Sequence, residues 1–134
     1  PKVPEGEHGR RFVALREWMI DMWRVHKFDA VAYEKPILPR KSGDLATTMD
    51  TLTLLWGLTA VVQLVAAEFK LPPAVGISVP EVKKALTNRQ HATKDEMIYA
   101  ARRTFGWRVT DDHQADACAC GLAAYSRLWP KVSA

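Results

Sequence analysis

FDAVAYE, residues 28–34, is the stretch on which the fold turns. From Ala30 onward both alternating faces of the run are apolar, the mark of a strand covered on two sides, and the run breaks off at Glu34, two residues before Pro36. A buried strand over residues 28–33 therefore lifts an acid to the carboxyl edge of a sheet, where open α/β folds carry their sites. Such a strand needs neighbours on both sides.

Outward from it, the periodicities alternate. Upstream, Phe12, Leu15, Met19 and Met22 recur at helical spacing, with Arg16, Glu17 and Asp21 between them, predicting an amphipathic helix from Gly9 to His26. Downstream, KPILPRKSGD, residues 35–44, has two prolines, a glycine and three cations: loop chemistry that can face phosphates, with Ser42 or Asp44 placed to cap the next helix. That helix is predicted from Leu45 to Phe69, apolar nearly all round in its second half, and stopped by Pro72-Pro73. AVGISV, residues 74–79, reads as a second strand and Pro80 as the start of a short helix through Leu86. Thr93 and Glu96 match a capping box, opening a helix that Gly106 closes after Phe105. Asp111 and Asp112 precede a last helix from His113 to Leu128. The order α, β, α, β, α, α is an α/β pattern, and 134 residues without an internal repeat or linker-like segment predict one domain over 1–134.

Composition bounds the rest. With 48% hydrophobic and 25% charged residues the chain can bury a core, which excludes intrinsic disorder. A net charge of +4 permits a polyanionic partner without demanding one. The two cysteines, Cys118 and Cys120, have no further partners, so neither a disulfide framework nor a zinc site is expected; they read as core packing in a reducing, cytoplasmic setting. The N-terminus lacks the layout of a secretory signal, and the apolar run Leu54–Ala67 falls short of the ~20 residues a membrane span needs, so no membrane association is expected. The five tryptophans read as core anchors.

Two features can carry chemistry. Glu34 either serves a site at the sheet edge or pairs at the surface with Lys35 or Arg40. His113 and Asp116, three apart on one helix face, either share a cation, with Asp112 able to join them, or the acidic pair caps the helix and His113 is an ordinary surface histidine.

Three segments, taken together, resemble the RuvC-type Holliday junction resolvases of the ribonuclease H-like fold. They are VAYEKP around Glu34, VKKALTNRQHATK from Val82 to Lys94, and DHQADACACGLAA from Asp112 to Ala124. The resemblance spans residues 9–128 and implies a ribonuclease H-like sheet flanked by helices. It implies Glu34, His113 and Asp116 as catalytic and metal-binding residues, with Asp112 in reserve. Lys83 and Lys94 keep the spacing of two DNA-contacting lysines; Lys84, Arg89, Arg40 and Lys41 join them as expected phosphate contacts. The implied reaction is hydrolysis of a phosphodiester in branched DNA, with two Mg²⁺ ions, or Mn²⁺ in their place, activating a water and stabilising the leaving oxygen. A homodimer is implied, with the apolar helix Leu54–Ala67 as interface material or simply as core.

The chain also departs from that pattern. The family's first ligand, an Asp on an initial strand, has no counterpart before Glu34, so the expectation is an N-terminally incomplete domain whose activity is in question. Asn88–His91 replaces a glycine-bearing loop. A nuclease of the same fold with a broader branched-DNA or RNA–DNA substrate, and a non-catalytic nucleic-acid-binding protein, are the competing expectations.

Overall fold

A computed structural model describes residues 7–37 and 45–130; Arg40, Lys41 and the expected caps Ser42 and Asp44 lie outside them. The chain divides into two compact units, residues 1–31 with 36–74, and residues 32–35 with 75–134.

The first unit is a pair of helices, α1 (Gly9–His26) and α2 (Leu45–Glu68). The face of α1 read from the sequence is the one that packs, with Met19 buried and Phe12, Leu15 and Met22 half-buried. Gly57 lets the helices close: a Cβ there would overlap the Phe12 ring. Arg16 donates twice to the Glu68 carboxylate at 3.1 Å, His8 Nε2 lies 2.8 Å from Asp50 Oδ1, and Trp23 stacks on Phe69 with centroids 4.4 Å apart. Beyond α2 the Lys70 and Leu71 amides fold back on the carbonyls of Ala67 and Ala66, with Lys70 in the left-handed region, before Pro72-Pro73 forbids continuation. The helical stretch Met49–Glu68 is, by length and composition alone, long and apolar enough to cross a membrane, because the helix begins before the Leu54–Ala67 run.

The second unit holds two parallel strands, β1 (Ala32–Glu34) and β2 (Val75–Ile77), and three helices, α3 (Val79–Thr87), α4 (Lys94–Phe105) and α5 (Asp112–Leu128). The register pairs Ala32 with Val75, Tyr33 with Gly76 and Glu34 with Ile77, and Lys35 N–H extends the ladder to the Ile77 carbonyl. The strand is shorter than the 28–33 reading. β2 starts just after two prolines, which cannot continue a ladder, so residues 28–31 find no strand partner among the described residues.

Local chemistry sets the helix ends. Thr93 and Glu96 close the capping box reciprocally, Gly106 takes the left-handed C-cap at φ 68°, and Asp111 Oδ1 accepts the Gln114 amide at 2.8 Å. Asp112 thus lies inside α5 rather than before it. The core gathers Ile77, Val82, Met97 and Val109 around Ala101, Ala115 and Ala119, whose small side chains let α5 lie close on its neighbours. Four of the five tryptophans correct the expectation of core anchors: Trp18, Trp56, Trp107 and Trp129 are exposed.

Candidate metal centre

β1 ends at Glu34, and α5 crosses the sheet so that His113, Asp116, Ala117 and Cys120 face the same end of that strand. With Ala32 and Tyr33 these side chains line an open cavity of about 400 Å³. The spacing does this directly, because residues three, four and seven apart on a helix share a face.

Electrostatics mark the two acids as coupled to their surroundings. Glu34, though exposed as a residue, has its carboxyl pushed above the usual range, first by desolvation, then by the Asp116 charge, while Lys83 opposes both. Asp116 is also raised, chiefly by burial and then by Asp112, against the pull of His113, Lys83 and Lys94. Cys120, in the cavity wall, is pushed up to about 11, first by burial and then by the Glu34 charge; Arg127 opposes the rise and Asp116 adds to it. Like-charged, half-desolvated acids at a shared opening suit a divalent cation, whose charge relieves both penalties and whose oxygen preference the carboxylates meet. The residues present fit such an ion in part. Among the described residues no group of three His, Cys, Asp or Glu side chains is placed to hold a metal.

The remaining sequence-derived residues divide. Lys83, half-buried on α3, acts on both acids. Lys84, on the same helix, is exposed. Asp112 turns to Lys94, whose Nζ lies 2.9 Å from Oδ2, and is not in the wall of the cavity. Arg89 donates to Glu96 at 3.2 Å and borders a separate cavity of about 490 Å³ with Tyr99 and Arg103. Tyr33 and the site-lining side of Cys120 escaped the sequence reading. The four-residue step from Asp116 to Cys120 was the available signal for the second.

A parallel strand delivers an acid at its carboxyl edge, where an acid from α5 meets it, and the chain's α/β fold is the ribonuclease H-like one of the solved structures it matches. Its particular form is RuvC-like in sequence and in fold. The crossover junction endodeoxyribonuclease RuvC of Synechococcus sp. (strain CC9311) is 28% identical over 124 residues, covering 91% of this chain and 72% of the relative. The Thermus thermophilus RuvC structure matches with TM-score 0.70 at 23% identity, and T. thermophilus RuvC in complex with a Holliday junction substrate matches with TM-score 0.76 at 22%; each covers 95% of this chain and 74% of the other. No family model matches.

Proposed function

We propose that the chain is a metal-dependent, structure-selective endonuclease that resolves four-way DNA junctions by phosphodiester hydrolysis. The convergence of Glu34 and Asp116 on one opening, from elements far apart in sequence, carries the reading. Likeness to RuvC, including a RuvC solved on a Holliday junction, supports branched DNA as the substrate.

Glu34 and Asp116 would hold Mg²⁺, or Mn²⁺ in its place, with His113 as a further ligand or positioning group. Bound there, the ion would lower the pKa of a water and neutralise charge on the phosphate. The protein's own part is concrete. The buried face of α5 fixes Asp116 against the strand that fixes Glu34. Lys83 offsets the carboxylate charge that would otherwise repel a phosphate. Lys94, held by Asp112 yet largely exposed, offers a second ammonium at the first turn of α4.

Asp116→Asn tests the assignment. Cleavage of an immobile junction should fall at least a thousandfold, on the scale of removing a group that acts in the transition state, while junction affinity stays within about threefold. Loss of Mn²⁺ binding in titration calorimetry should accompany it. Equal loss of binding and cleavage would remove Asp116 from the metal site. A non-catalytic junction-binding protein is the second reading, favoured by the incomplete ligand set among the described residues; junction binding by the wild-type chain with no cleavage in Mg²⁺ or Mn²⁺ would select it.

The exposed apolar side of α2, carrying Met49, Trp56 and Leu64, is proposed as the surface for a second copy, since a resolvase must cut two opposed strands. Sedimentation should show a dimer that Leu64→Glu converts to monomer. A monomeric wild type that binds lipid vesicles would assign the same surface to a membrane.

A further inference from the structure

The cavity beside Arg89 shares no residue with the carboxylate site. It measures about 490 Å³ and is lined by Leu86, Thr87 and Asn88 at the end of α3, by Arg89, and by Tyr99 and Arg103 of α4. α4 keeps it apart from the lysine that serves the other site. Lys94 reaches Asp112 at the start of α5, whereas Arg103, nine residues or two and a half turns further on, emerges on the opposite side of the helix, toward the end of α3.

One guanidinium in this cavity is fixed in advance. Glu96 Oε2 accepts the Thr93 amide at 3.1 Å within the capping box, and its Oε1 accepts from Arg89 Nη1 at 3.2 Å. From the other side the Arg89 N–H donates to the Thr87 hydroxyl at 3.2 Å, which donates in turn to the Lys83 carbonyl at 2.8 Å, and Asn88 makes the turn between them at φ 59°. Arg89 therefore gives one nitrogen to Glu96 and keeps its remaining donors. Arg103 makes no ion pair among the described residues. With Glu96 set against Arg89, one positive charge is left over in the cavity. Tyr99 lies in the same wall, 66% exposed. Forked guanidinium donors match the oxygens of a phosphate, and an exposed phenol ring offers a stacking face to a flat heterocycle. An acidic side chain would satisfy the arginines and leave the ring unused.

We propose that this cavity binds a free nucleoside monophosphate, with its phosphate held by Arg89 and Arg103 and its base on Tyr99. The inference goes beyond the nuclease reading and stands without it, because the cavity is separate from Glu34 and Asp116 and faces away from Lys94.

Titration calorimetry on the whole chain tests it, with AMP as the probe and no divalent cation present, so that a metal in the carboxylate cavity cannot retain the phosphate. Wild type should bind AMP more tightly than inorganic phosphate. Arg103→Gln should weaken AMP binding at least tenfold, the effect of losing charged hydrogen bonds. Tyr99→Ala should weaken it about fivefold while leaving inorganic phosphate unaffected, and Tyr99→Phe should bind like wild type. Both side chains are exposed, so unchanged thermal midpoints separate lost binding from lost fold. The proposal is overturned if wild type does not bind AMP, if Arg103→Gln binds it like wild type, or if inorganic phosphate binds as tightly and Tyr99→Ala changes nothing. An immobile junction that displaces AMP overturns it by giving this face to DNA, and an oligoglutamate peptide that binds where AMP does not gives it to an acidic partner.

Discussion

The helix pair α1–α2 and the strand-bearing unit solve opposite problems. In the pair, large side chains do the joining: Trp23 on Phe69, Phe12 over Gly57, Arg16 on Glu68. Much apolar surface on α2 stays uncovered, Trp56 and Leu64 being half exposed. In the other unit, alanines at 101, 115, 119 and 124 are buried and draw α4 and α5 close, so that the surface left over can hold acids. Precise placement of two repelling carboxylates needs the close-packed interior, because only a stiff scaffold holds like charges together at a shared opening. The pair needs less precision, and its uncovered side is free to meet a partner.

Two substitutions press on that contrast. Ile77→Ala removes a fully buried side chain from the centre of the second unit and should cost about 2–5 kcal/mol in urea unfolding, through lost transfer energy and a cavity that alanine-lined neighbours cannot refill. Gly57→Ala forces a methyl into the Phe12 ring, but Phe12 is only half-buried and can swing outward, so about 1–3 kcal/mol is expected. A larger loss at Gly57 than at Ile77 would break the comparison, making the helix pair the more exacting of the two.

Helix ends were the most legible part of the sequence, because capping is a local bargain between adjacent residues. The Thr93–Glu96 box, the Gly106 stop and the prolines after α2 could each be read without knowing the fold. Strand extent was not legible in the same way. Residues 28–31 have strand-like composition, yet a strand exists only where a partner offers hydrogen bonds, and Pro72-Pro73 set where β2 begins. The tryptophans misled for a related reason: an indole signals burial against something, and the sequence does not say whether that is a core or a ligand. At the site, His113 and Asp116 share a face by helical arithmetic alone, whereas the meeting with Glu34 needed tertiary structure. The turn of Asp112 toward Lys94, 18 residues away in sequence, needed it too.

Thr93→Ala sharpens the comparison at smaller scale. It strips the Glu96 amide of its acceptor, while the backbone N–H of residue 93 can still donate to the Glu96 carboxylate, at a cost of about 1 kcal/mol seen as a lowered thermal midpoint. Because α4 carries Lys94 in its first turn, junction binding by this variant should gain a stronger dependence on temperature than wild type shows. A midpoint unchanged within error would mean that tertiary packing of Met97 and Ala101, rather than the cap, holds the start of α4.

Glu81 gives the smallest effect, and one with a definite sign. Its carboxyl is held below the usual value of 4.5, first by the Ser78 hydroxyl that donates to it and also by Arg127, which pairs with it from α5 while donating to the Gly76 carbonyl. A pKa lowered by folding means that the unfolded chain takes up the proton first as pH falls. The stabilisation is therefore full above about 4.5 and drains away below it, as pH drops through the folded value. The pair's exposure to water keeps the amount small. Glu81→Gln should lower the thermal midpoint slightly at pH 6 and converge with wild type by pH 3, whereas a gap that persists or widens in acid would show that the α3–α5 link is steric and that Arg127 holds Gly76 without needing the charge opposite it.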